Sequence, residues 1–166
     1  MSRVTVSHTI CVVTALVLSS AARADLKKDT PKEVCAYLEK EDIKTGPYNQ
    51  LRKDLYFASG VKKLGMAESS NSLEYNVDGE QPERVAKVWL NLNVEDPAGA
   101  KDGHAALASA GRLLMEKATG RKPPDAIRKA LEKGENGKWK LGDLTVEANR
   151  IKKGDGKRYV MQLLIK

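Results

Sequence analysis

Residues 71–94 read NSLEYNVDGEQPERVAKVWLNLNV, and the fold turns on how their apolar side chains are spaced. Leu73, Tyr75 and Val77 alternate with Glu74 and Asn76. After Asp78-Gly79 and Pro82, Val88, Leu90, Leu92 and Val94 alternate with Trp89, Asn91 and Asn93. A period of two sends successive side chains to opposite faces of a strand, so two such runs around an Asp-Gly turn predict an antiparallel hairpin with one buried face. Asn91 and Asn93 on the second face argue against a parallel strand covered on both sides. Asp96-Pro97 ends the run.

A second unit of the same kind follows later in the chain. Trp139 and Leu141 read as a short strand, and Leu144, Val146 and Ala148 alternate with Thr145, Glu147 and Asn149. Gly154-Asp155-Gly156 then turns the chain into residues 158–165. Tyr159, Met161, Leu163 and Ile165 fill one face of that last run, while Val160 and Leu164 occupy much of the other. A strand apolar on both faces belongs inside its sheet. Any two hairpins share alternation and a glycine turn, so the likeness of the two units supports one continuous sheet more than an ancient duplication.

Elsewhere the period is close to 3.6. Thr30-Pro31-Lys32-Glu33 combines a hydroxyl N-cap, a proline at the first helical position and a glutamate three residues on, and predicts a helix to about Glu41 with Val34, Cys35, Tyr37 and Leu38 on its apolar stripe. In residues 49–59 (NQLRKDLYFAS), the spacing of Leu51, Leu55 and Ala58 predicts a short second helix or an irregular turn, with Phe57 packed inward. Residues 101–119 carry Leu107, Ala110, Leu113, Leu114 and Ala118 on one helical face, with Asp102 as N-cap and Gly120 just past the end. Pro123-Pro124-Asp125 launches a shorter helix with Ile127, Ala130 and Leu131 on one face, closed by Gly134. The order helix, hairpin, helix pair, hairpin predicts a two-layer α+β domain: an antiparallel sheet built from two hairpins, with helices on one face.

Residues 1–24 have the three-part layout of a secretory signal peptide: Arg3, an apolar run from Ile10 to Leu18, and Ala22-Arg23-Ala24 before Asp25. Small side chains at Ala22 and Ala24 predict cleavage after Ala24. The apolar run is about half the roughly 20 residues that a bilayer demands, so a membrane anchor is not expected. No cysteine follows the small-residue cluster to carry a lipid. The expected address is the bacterial periplasm or exterior, with residues 25–166 as a single soluble domain.

The full chain of 166 residues has a formal net charge of +7, with 41% apolar and 31% charged residues, a balance that excludes a disordered tail, a collagen-like repeat and a disulfide-dense mini-protein. Removing the leader lowers the charge to +5, because it holds two arginines and no acid. The remainder is polarised. Residues 121–166 hold thirteen bases and six acids, whereas residues 64–120 hold five and nine. Lys138, Lys140, Arg150, Lys152, Lys153, Lys157 and Arg158 gather in sequence around the second hairpin, a candidate patch for an anionic partner such as an envelope polyanion or an acidic protein face. The plainer alternative is that lysines at hairpin turns keep sheet edges soluble and unpaired. Export makes nucleic acid the least suitable partner.

Chemistry has few footholds. Cys11 falls in the leader, which leaves Cys35 as a free thiol with His104 as its one histidine counterpart. Both sit on apolar helical stripes, and a buried free cysteine is commonly inert; the other outcomes for Cys35 are an intermolecular disulfide, hence a monomer or a Cys35-linked dimer, or a nucleophile beside His104. One His and one Cys cannot build a zinc site without several carboxylates, and no loop has calcium-ligand spacing. Gly154-x-Gly156 has no helix after it to cradle a phosphate, and G-x-S-x-G is absent. No metal, cofactor or catalytic residue is assigned. Trp89, between polar neighbours, is a candidate surface aromatic. The expectation is a non-enzymatic binding or accessory protein; the alternatives are an inhibitor or immunity-type protein that blocks an envelope enzyme, and a hydrolase using His104 with Cys35 or a carboxylate.

Overall fold

A computed structural model describes residues 26–66, 70–154 and 156–166. The leader with Cys11 and the cleavage point after Ala24 lie outside the described residues, as does Asp155 of the last turn. Among the described residues are seven strands: β1 (Asn49–Arg52), β2 (Leu55–Lys63), β3 (Ser72–Gly79), β4 (Lys87–Val94), β5 (Gly137–Leu141), β6 (Leu144–Lys153) and β7 (Arg158–Ile165). Three α-helices accompany them: α1 (Pro31–Cys35), α2 (Ala100–Thr119) and α3 (Asp125–Lys133). The strands form one antiparallel sheet in the order β1-β2-β3-β4-β7-β6-β5. The chain is therefore α+β.

The alternation in residues 71–94 sets the register of the sheet. Leu73 faces Leu92, Tyr75 faces Leu90 and Val77 faces Val88, and all six are buried. Next to β4, Leu163 of β7 lies opposite Leu90 on one side and Ala148 of β6 on the other. β7 is thus interior to the sheet, as its two apolar faces require. α2 packs against β3, β4 and β7, with Leu107, Ala110, Leu114, Met115 and Ala118 buried and Leu113 half-exposed. From the buried face of the sheet Tyr75 donates its hydroxyl to the Val34 carbonyl at 2.9 Å, tying α1 to the core. The opposite, outer face carries Glu74, Trp89, Asn91, Asn93, Asn149 and Gln162, all half-exposed.

Four local expectations are corrected. Residues 49–59 form strands, not a helix: Asp54 adopts φ 60° in a tight reversal that pairs Asn49 with Phe57. Leu51, one of the three residues at helical spacing, is 66% exposed. Phe57 points to the outer face, against Trp89 at 6.0 Å between ring centroids. The sheet accordingly exceeds the two hairpins expected. The first helix stops at Cys35 and is followed by a 3-10 turn at Glu39–Glu41, which Asp42 ends in the left-handed conformation at φ 60° just before the buried Ile43. Asp102 lies inside the first turn of α2; the capping carboxylate is Asp96, which accepts the Ala98 amide at 2.9 Å before a 3-10 turn leads into the helix. Both helix ends read from glycine hold, with Gly120 at φ 69° and Gly134 at φ 67°.

Candidate functional site

β6 outruns the core. Leu144, Val146 and Ala148 are buried, but Arg150, Ile151 and Lys152 are exposed, so both faces of the strand end meet solvent. Gly154 at φ 48° and Gly156 at φ 79° make the reversal into β7, a backbone conformation that side chains with a Cβ disfavour. Residues 150–158 of this projecting end hold five bases and one acid.

The projection is anchored at two points. On the outer face, Lys153 pairs with Glu95 at 2.8 Å and Arg158 approaches the same carboxylate at 3.8 Å. The Lys153 hydrogen bond, reinforced by the charges of Lys153 and Arg158, holds the Glu95 carboxyl below its ordinary range. On the inner face the Arg150 guanidinium lies 3.8 Å from the centre of the Tyr159 ring, a cation–π contact. The Asn136 side chain accepts the Arg150 amide at 2.6 Å and fixes the backbone there.

Tyr159 leads inward to His104. The His104 Nδ1 lies 2.7 Å from the Leu131 carbonyl and its Nε2 lies 2.8 Å from the Tyr159 hydroxyl. A carbonyl can only accept, so Nδ1 carries the proton and Nε2 accepts from Tyr159. Burial holds the imidazole below its ordinary pKa; the Leu131 hydrogen bond opposes this and the positive Arg150 adds to it. Both nitrogens are committed, and a Cys35–His104 dyad has no geometric support.

Seven basic residues close in sequence do not make one cluster. Arg150, Lys152, Lys153, Lys157 and Arg158 share the projecting end, but Lys153 and Arg158 face outward while Lys152, opposite Tyr159, faces the other side. Lys138 lies opposite Glu147, six residues before Lys153, or roughly 20 Å along the strand. It forms an ion pair with Glu147 at 3.0 Å, shared with Lys166 at 3.2 Å, and these two partners hold the Glu147 carboxyl below its ordinary range. Lys140 donates to the Thr145 hydroxyl at 2.8 Å. These two lysines line the sheet edge and belong to a separate surface. Glu95 and Tyr159, which position the projecting end, carry no motif of their own, and only the register of β7 reveals them.

Trp89 is half-exposed, flanked by Phe57, with the Lys87 ammonium 5.7 Å from the centre of its ring. Cys35 is a half-buried free thiol whose pKa is raised by burial, an effect only partly offset by Thr45. A thiol so placed is expected to react with a maleimide at pH 7.5 several-fold more slowly than free cysteine, because less thiolate is present and access is narrower. Modification as fast as that of free cysteine, followed by mass spectrometry, would show an open, activated thiol instead.

Among the described residues, no group of three or more His, Cys, Asp or Glu side chains is placed to hold a metal ion, and no helix is long and apolar enough to cross a membrane. Comparison with protein-family models, with curated proteins and with solved structures found no match.

Proposed function

We propose that this chain is an exported, non-enzymatic binding or accessory protein whose β6–β7 turn meets an anionic partner, either an envelope polyanion or an acidic protein face. One observation carries the reading: a hairpin end with five bases and one acid stands clear of the core and is held in place by Glu95 and Tyr159. A rigid positive projection steers an anion and costs little ordering on contact. Export rests on the layout of residues 1–24. A two-layer arrangement with the helices on one face belongs to the same reading, and is supported by the contacts of Tyr75 with Val34 and of Tyr159 with His104 from one side of the sheet.

The test is retention of residues 25–166 on immobilised dextran sulfate. Binding is expected to weaken steeply with added salt, since the Debye length falls from about 10 Å at 0.1 M to about 3 Å at 1 M. Reversing Lys152→Glu and Lys157→Glu together, which leaves both Glu95 ion pairs intact, is expected to lower affinity at least about tenfold, or 1.4 kcal/mol. Retention indifferent to salt or to the double reversal would refute the reading.

A further inference from the structure

The outer face of the sheet carries a second, differently composed surface. Four neighbouring strands place Glu74, Asn91, Gln162 and Asn149 in one straight row across the sheet, since Glu74 pairs with Asn91, Asn91 with Gln162, and Gln162 with Asn149. One flank of this row is Trp89 beside Leu164, and the other is Val160 beside Ile151, again in register. A polar row therefore runs at right angles to the strands between two mixed rows, Asn76-Trp89-Leu164-Glu147 and Ser72-Asn93-Val160-Ile151, each with an apolar pair beside it.

The polar groups are held but not used up. Gln162 donates to the Asn91 carbonyl oxygen at 3.2 Å, and Asn93 donates to Glu74 at 3.5 Å. The buried Asn76 amide, in the orientation that satisfies both neighbours, accepts the Trp89 indole N–H at 3.2 Å and donates to Glu74 at 3.3 Å. The indole is thereby locked, while the Asn91 amide nitrogen, the Gln162 carbonyl oxygen and the whole Asn149 amide keep donors and acceptors turned to solvent.

We propose that this row binds a neutral, β-linked glycan laid across the strands. Strands lie about 4.8 Å apart, close to the length of one pyranose unit in an extended chain, so each strand would offer one amide or carboxylate per sugar. Amides give and take hydrogen bonds as sugar hydroxyl and acetamido groups do, and the flanking indole and aliphatic side chains suit the C–H faces of the rings. The charge pattern fits a neutral ligand. The Lys87–Asp78 ion pair lies beyond the Trp89 flank, Glu147 at the end of that flank is matched by Lys138 and Lys166, and the one carboxylate within the row, Glu74, already takes two amide donors. A second copy of the chain fits less well, because sheet-on-sheet packing would strip water from the amide row and leave it unpaired. The polar row shares no residue with the basic turn, only the flanking Ile151 lies in both, and Lys152 and Lys157 belong to the turn alone, so either reading can fail alone.

The experiment is a titration of the ¹⁵N-labelled protein, residues 25–166, with a hexamer of β-1,4-linked N-acetylglucosamine, following the side-chain amides of Asn91, Asn93, Asn149 and Gln162 and the Trp89 indole N–H. Saturable shifts confined to these signals are expected. Trp89→Ala should weaken binding at least tenfold, and so should Gln162→Ala, which keeps the proposal testable if the tryptophan variant does not fold. Trp89→Phe should retain most of the affinity, and Lys152→Glu/Lys157→Glu should bind the hexamer unchanged. No shifts at millimolar hexamer, shifts located elsewhere, or signals that move with protein concentration and ignore the sugar would each overturn the proposal, the last by showing that a second copy covers the face.

Discussion

Gly60→Ala is expected to destabilise the protein by about 3 kcal/mol, a fall of roughly 10 °C in Tm for a domain of this size. A Cβ at Gly60 would stand 2.3 Å from the Lys44 oxygen, 2.6 Å from the Lys44 carbonyl carbon and 2.9 Å from the Thr45 nitrogen. All three are backbone atoms and cannot rotate aside, so the segment leading into β1 must lift away from β2. That segment is bonded there, with the Gly46 amide donating to the Ser59 carbonyl at 2.9 Å, and lifting it strains or breaks the bond. Ser59→Ala, one residue away and turned to the outer face, should lie within about 0.5 kcal/mol of the parent. Urea denaturation of the two variants distinguishes the cases, and an alanine at position 60 tolerated as well as one at 59 would mean that β2 does not pass this close to residues 44–46.

His104→Ala should cost a similar amount, about 3 kcal/mol at pH 7.5, through the lost ring packing and the orphaning of a buried hydroxyl and carbonyl. Its diagnostic feature is pH. An unfolded histidine titrates near 6.5, whereas burial keeps the folded His104 below that value. Above pH 6.5 neither state is charged and the contribution is whole. As the pH falls below about 6.5 the unfolded chain takes up its proton first, so the parent loses stability toward the lower folded pKa. The Ala variant lacks this component, and the gap between the two proteins should narrow between pH 7.5 and 5.5. His104→Gln, which retains a donor and an acceptor, should recover part of the stability and none of the pH dependence. A gap that is constant over this range would place the proton on the folded ring as readily as on the unfolded one.

Strict alternation was the most legible signal in the chain. Residues 73–77 and 88–94 carry it, and with the last strand, which is apolar on both faces, they form the middle of the sheet. Residues 49–59 misled because Leu51, Leu55 and Ala58 fall at helical spacing while the decisive feature, an Asp54 in the left-handed region, leaves no mark that spacing detects. The neighbouring Tyr56, Phe57 and Val61, aromatic and β-branched, were the better guide. Charge gave the basic turn its location but not its division, because alternate residues of a protruding strand point opposite ways and only pairing assigns the faces. The straight row from Glu74 to Asn149 joins residues from four strands, and no reading of one segment at a time brings it together.

The place of β7 has a consequence for how the molecule is made. β3 and β4 are joined by a short connection and form their ladder locally, but the far side of β4 receives β7 only after α2, α3, β5 and β6 have intervened, with Val88 finally opposite Ile165. Contacts of such long range form late. Until then, β4 shows an open ladder edge whose side chains are Val88, Leu90, Leu92 and Val94, a template to which the same segment of another molecule is well matched. Refolding yield should therefore fall with protein concentration, because the race at that edge is between the chain's own β7 and a neighbour's.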